Sequence, residues 1–209
     1  GRVLAGLLAG CLLPAGLLGG LSGGAAAAGE SDPARFTVAL LNEVDSFNPF
    51  LGIEVESYEM WALTYDYLVD FSPEDLSLQP SLATEWESSD DGLEWRFTIR
   101  DDVTWSDGEP LTADDLAFTY SRVLGKGPES ATWKSWLAGV TEVEAPDDTT
   151  LVMTLSRPNS VLPMVPIPIV PQHVWSGVTG EQMKSFAAEP TDGEPVVGAR
   201  VRFAVVPDL

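Results

Sequence analysis

The chain has 209 residues, 32 acidic against 11 basic side chains, a formal net charge of −21, and a 44% hydrophobic composition with seven tryptophans. This is the make-up of a packed globular body of one domain or two small ones rather than a disordered chain. Its charge excludes nucleic acid and anionic membrane surfaces as partners, because phosphate recognition needs clustered Lys and Arg. One cysteine and one histidine likewise exclude an intramolecular disulfide and a Cys/His zinc cluster.

Residues 1–28 carry a single charge, Arg2, and the stretch 3–21 is rich in Leu, Ala and Gly before Ala25-Ala26-Ala27-Ala28. An apolar run followed by small residues is the layout of a secretory signal. The chain starts without methionine, so part of a basic leader is expected ahead of it. Repeated glycines and Pro14 make the run a poor membrane span. Leu8-Ala9-Gly10-Cys11 also resembles a bacterial lipobox, in which Cys11 would be lipidated and become the first mature residue. The apolar Leu12-Leu13 that follows favours simple cleavage instead, and both routes stay open. Either one places the body outside the cytoplasmic membrane, and the acidic surface then reads as a solubility coat.

The body opens with an apolar run at 36–41, expected to be a buried strand, followed by a turn-rich stretch over 42–49. Over 54–69, Val55, Tyr58, Trp61, Ala62, Tyr65 and Leu68 recur at helical spacing, with Glu54, Glu56 and Glu59 at the end the helix dipole favours. Residues 76–86 read as extended, interrupted by Pro80. Asp90-Asp91-Gly92 is a turn, and in the strand after it Leu93, Trp95, Phe97 and Ile99 alternate with polar residues. A short strand is expected at 103–106, then a turn at Asp107-Gly108. Thr112 and Asp115 form a Thr-x-x-Asp capping box for a helix whose apolar stripe is Leu116, Ala117, Tyr120, Val123 and Leu124. Residues 125–130 read as a loop, and Trp133, Trp136 and Leu137 as an aromatic patch. A hairpin spans 140–144 and 149–155 around Pro146-Asp147-Asp148. Five prolines over 158–171 forbid regular structure there. Residues 177–195 read as a polar loop and 201–206 as a last strand. The alternation of helices with strands predicts a mixed α/β (α+β) fold.

Turn and cap roles account for Asp107, for Asp101-Asp102 and for Asp114-Asp115. A secreted carboxylate-dependent hydrolase such as a glycosidase is the rival functional class, and it needs two carboxylates about 5–10 Å apart across a cleft. The spacing in the sequence singles out no such pair, and neither a catalytic residue nor a cofactor is assigned.

The run DDGLEWRFTIRDDVTWSDGEPLTADDLAFTYSRV resembles the signature region of the family 5 extracellular solute-binding proteins, the peptide- and nickel-binding subunits of bacterial ABC importers. The resemblance extends through Ser46-Phe47-Asn48-Pro49, Tyr65-Asp66-Tyr67-Leu68, Gln79-Pro80-Ser81-Leu82-Ala83, Ala145-Pro146-Asp147-Asp148-Thr149-Thr150-Leu151 and Ile169-Val170-Pro171-Gln172-His173-Val174-Trp175. Several motifs in the expected order are far more specific than any one of them.

The resemblance implies a type II periplasmic-binding-protein-like fold, two lobes closing on a solute. In that scheme 1–28 is the signal, 29–53 and 172–209 belong to a partial hinge-bearing lobe, 54–171 is the family's extra subdomain, and the second lobe is absent. It also implies a non-catalytic receptor without cofactor or bound metal, whose partners are a small-molecule or peptide ligand and ABC permease subunits, with Cys11 as the lipid anchor if the lipobox is used. The ligand would contact Ile53 and Val55 through main-chain bonds, a form of strand addition, and Trp133 and Trp136 as an aromatic wall. Packing is the plain alternative for Val55 and for both tryptophans. His173 stands in a run that is structural in the family. One departure stands out. The family's Gly-Pro motif is missing after Gly198-Ala199, where the chain reads Arg200-Val201-Arg202-Phe203, and a fragment, a frame-shifted end or a divergent member would each explain it.

Overall fold

The computed structural model describes residues 40, 42–184 and 186, all within one unit of the chain. The signal expected over 1–28 with Cys11, the strand expected over 36–41 and the strand expected over 201–206 lie outside the described residues or at their margin.

A four-stranded antiparallel sheet forms the larger part. β3 (Ala83–Ser88), β4 (Glu94–Ile99), β5 (Val140–Asp147) and β6 (Thr150–Leu155) are arranged β3-β4-β6-β5. The β3–β4 turn is the Asp-Gly turn read from sequence. Gly92 has φ +69°, and its N–H donates to the Ser89 carbonyl at 2.9 Å. β4 alternates as its sequence demands, with Phe97 and Ile99 buried and Glu94, Arg96 and Thr98 exposed. Trp95 and Phe97 face Met153 and Leu151 in register. The hairpin at 140–155 is present, with β5 extended through Pro146. Proline is tolerated there because β5 is an edge strand.

The helix α2 (Ala113–Leu124) packs on this sheet, burying Leu116, Tyr120 and Val123. Its capping box is formed, and the Thr112 N–H donates to Asp115 Oδ2 at 3.1 Å. Asp115 also accepts from the indole of Trp105 (3.1 Å) and from the Gln172 N–H (2.7 Å). One carboxylate thus ties the turn segment before α2, the helix start and the chain after the proline-rich stretch together. The strand expected over 103–106 is only a bridge, Thr104 to Pro110, because the chain reverses at Asp107-Gly108 before a ladder can grow.

A smaller antiparallel pair, β1 (Val69–Phe71) with β2 (Leu78–Pro80), precedes the sheet. The helix expected over 54–69 is shorter: α1 is Val55–Thr64. Tyr65 turns extended (φ −119°, ψ 155°), and Leu68 and Val69 are buried around a strand start, not on a helical stripe. Two short helices arise inside expected loops, α3 (Glu129–Trp133) and α5 (Gly180–Met183), and α4 (Gln172–Trp175) follows the prolines. Residues 158–171 hold only one 3-10 turn, as five prolines require.

Arg122, near the end of α2, joins these pieces. Its guanidinium lies 3.2 Å from Glu129 and donates to the carbonyls of Trp175 and Val178 at 2.7 Å each. Both charged side chains are largely removed from solvent, so each depends on the other for compensation.

Candidate functional site

The resemblance implies main-chain ligand contacts over 51–55, and the backbone from Asp45 to the start of α1 is held from several directions. Asn48 bends the chain: its Oδ1 accepts from the Phe50 N–H (3.0 Å), and its Nδ2 donates to the carbonyls of Met183 and Phe186 (3.1 Å each). Three other side chains fix three of the four carbonyls from Phe47 to Phe50. The Trp61 indole donates to Phe47 O at 3.2 Å, the Trp133 indole to Pro49 O at 2.7 Å, and Thr132 Oγ1 to Phe50 O at 3.2 Å. Buried carbonyls need such partners, and here they come from two helices distant in sequence.

Asp45 closes the segment onto α1. Its carboxylate accepts from the N–H groups of Ile53 (2.9 Å) and Glu54 (3.4 Å) and from the hydroxyl of Ser57. What desolvation there is works to raise the Asp45 pKa, but the Ser57 and backbone hydrogen bonds outweigh it and hold the carboxyl below its usual value. The same bonds decide which way α1 faces. Its buried side is Glu56, Ser57, Trp61 and Thr64, whereas Val55, Ala62 and Leu63 point outward. Gly52 is required by this packing, since a Cβ there would lie 2.5 Å from the Trp61 ring.

The four residues singled out from sequence separate into two kinds. Ile53 and Val55 are 71% and 67% exposed, so the packing alternative for Val55 does not hold. The Ile53 N–H is committed to Asp45, which leaves its carbonyl as the group able to meet a ligand backbone. Trp133 is fully buried, its ring centroid 5.5 Å from that of Tyr58 and 6.1 Å from that of Trp61. A buried ring of this size takes about 200 Å² out of water, worth about 5 kcal/mol. Trp136 is 48% exposed and lines an open cavity of about 260 Å³ with Ser135, Ala138, Arg157, Pro158, Asn159 and Val161.

Asp45 and Thr132 have no sequence signal beyond, for Asp45, a cluster of turn-forming Asp, Ser and Asn before Pro49, whereas Asn48 stands in the family-like Ser46-Phe47-Asn48-Pro49. His173 meets Asp107, with Nε2 and Oδ2 2.7 Å apart, which joins the Asp-Gly turn to α4. No group of three or more His, Cys, Asp or Glu residues able to hold a metal occurs among the described residues. The carboxyls of Asp45, Glu56, Asp75, Asp91, Asp102, Asp107 and Asp147 all lie below their ordinary values.

Residues 77–198 match the profile of the bacterial extracellular solute-binding proteins, family 5. Protein XP55 of Streptomyces lividans is 36% identical over 162 residues, covering 77% of this chain and 29% of that protein. The probable D,D-dipeptide-binding periplasmic protein DdpA of Escherichia coli (strain K12) is 34% identical over 107 residues, covering 47% of this chain and 20% of that protein. The crystal structure of NikZ from Campylobacter jejuni in complex with Ni(L-His) superposes with a TM-score of 0.62 at 26% identity, over 76% of this chain and 30% of that one. The chain therefore spans less than a third of the length of these relatives.

Proposed function

The chain belongs to the bacterial extracellular solute-binding proteins, family 5, and from that premise we propose that it is the extracytoplasmic receptor of an ABC importer, taking up an oligopeptide or dipeptide. Binding energy drives closure around the solute, and no bond is made or broken. The observation that carries this reading is the pinned segment from Asp45 to Val55. Four consecutive carbonyls, Phe47 to Phe50, accept hydrogen bonds from within the protein, while Ile53 and Val55 stand exposed on a backbone that cannot easily move. A preorganised edge loses little entropy on meeting an extended peptide, and main-chain pairing there is indifferent to the peptide's side chains. Trp136 supplies an accessible aromatic face. Trp133 holds the segment from behind. If Cys11 carries the lipid, the receptor is tethered at the outer face of the cell membrane; otherwise it is released after cleavage.

Calorimetry of the full-length protein against a defined mixture of dipeptides and tripeptides tests this. Saturable heat with the peptides recovered intact is expected. Peptide or glycoside hydrolysis would favour the hydrolase class instead, and silence with every peptide would turn attention to metal chelates.

A further inference from the structure

The cavity beside Trp136 has a composition at odds with the rest of the molecule. In a chain with almost three acids for each base, the described cations are otherwise mostly engaged: Arg96 with Glu94, Arg100 with Asp102, Arg122 with Glu129, Lys184 with Glu181, and Lys134 with two carbonyls. Arg157 has no hydrogen-bond or ion-pair partner among the described residues, yet it lines the cavity together with an exposed indole and two apolar residues, Pro158 and Val161.

The walls that carry these groups are fixed. The Asn159 side chain donates to the Ala138 carbonyl at 3.2 Å, and its own Oδ1 accepts from the Val161 N–H at 3.2 Å. The Ser156 N–H and hydroxyl both donate to the Gly139 carbonyl, at 2.7 and 3.1 Å. Gly139 has φ +97°, and a Cβ on it would lie 3.1 Å from Arg157 Cγ, so the arginine stem is packed closely against the backbone of the neighbouring segment. The stem of this exposed arginine thus lies along the cavity wall beside Gly139.

We infer that this cavity is a subsite for a small monocarboxylate with an apolar body, in which Arg157 takes the carboxylate and Trp136 with Val161 takes the body. A guanidinium offers paired N–H donors that match a carboxylate, and about 260 Å³ suits a group of one amino-acid residue rather than a drug-sized ligand. The inference rests on the receptor reading above and narrows it to carboxylate-bearing solutes. Such a carboxylate can be a peptide end or a free aliphatic acid.

The test is titration of the ¹⁵N-labelled full chain, following the indole N–H of Trp136 and the Nε–H of Arg157 by NMR. N-acetyl-L-leucine is expected to shift both signals saturably, and N-acetyl-L-leucinamide, its neutral counterpart, to bind at least about tenfold more weakly. Arg157→Gln should bring the two ligands to equal affinity, while Trp136→Ala should weaken both. 4-Methylpentanoate separates the two sources. Weaker binding than N-acetyl-L-leucine assigns the site to peptide ends, and equal binding assigns it to aliphatic acids. Absence of saturable shifts, equal response to acid and amide, or an unchanged preference in Arg157→Gln would overturn the subsite. Peptide binding by calorimetry in that last case would leave the receptor reading standing.

Discussion

The sheet with α2 and the segment from Asp45 to α1 are both rigid, but by opposite means. In the sheet, side chains that alternate along β4 and β6 meet the stripe of α2, so the order comes from apolar burial, with polar groups mostly at the surface. In the segment, the carbonyls of Phe47, Pro49 and Phe50 are caught by Trp61, Trp133 and Thr132, and an aspartate takes up the backbone N–H groups at the entrance to α1. Burial is non-directional and tolerates local adjustment. Hydrogen-bonded carbonyls fix position and orientation together. The exposed Ile53 and Val55 stand on the segment with the second kind of order, which suits the backbone edge proposed there for a ligand.

Three substitutions probe this contrast. The largest effect is expected where the sheet's helix is joined to the later helices. Arg122→Ala strands Glu129 without its ion partner and leaves two carbonyls unpaired, which should cost about 3–5 kcal/mol in urea unfolding. The double change Arg122→Met with Glu129→Leu should recover the part of that loss that comes from the stranded charge, but not the part from the two unpaired carbonyls.

Next comes Gly52→Ala. Its Cβ must displace the Trp61 ring, and with it the bond to Phe47, for about 1–3 kcal/mol. Near-UV circular dichroism should change before far-UV does, because an aromatic contact is lost and not a helix. An unaltered aromatic signal would mean that the segment is softer than its hydrogen bonds imply.

The smallest effect concerns Asp107. Partial burial works to raise its pKa, but the hydrogen bond with His173, the Glu109 N–H and the charge of His173 hold it below the ordinary value. A depressed folded-state pKa gives stability that is present above the ordinary aspartate value, about 3.9, and is lost as pH falls through the folded value. Asp107→Asn should therefore flatten the acid limb of a stability-against-pH curve while shifting the neutral midpoint by well under 1 kcal/mol, as expected of a partly exposed pair.

Much of the sheet was readable in advance because its cues are local. The Asp-Gly turns, the alternation from Leu93 to Ile99, the capping box at Thr112 and the hairpin around Asp147 each lie within a few residues of the element they define. The helix expected over 54–69 differs from α1 because its contacts are not local. Its apolar residues keep helical spacing, yet Ser57 and Trp61 bond to Asp45 and Phe47 with Val55 facing outward, and the helix ends at Thr64, after which Tyr65 turns extended. The two tryptophans show the same limit. Three residues apart in sequence and alike in composition, Trp133 is enclosed and Trp136 half open, a difference set by what packs around them.

By itself, then, the sequence determined the elements of the sheet, the turns between them and membership of a family of solute receptors, because periodicity, turn chemistry and ordered motifs act over short chain distances. Only the tertiary structure decided which backbone groups are held, which aromatic face is open and that Arg157 shares a cavity with Trp136. Those facts depend on donors and walls that come together from residues up to 138 positions apart, and no local pattern records such a meeting.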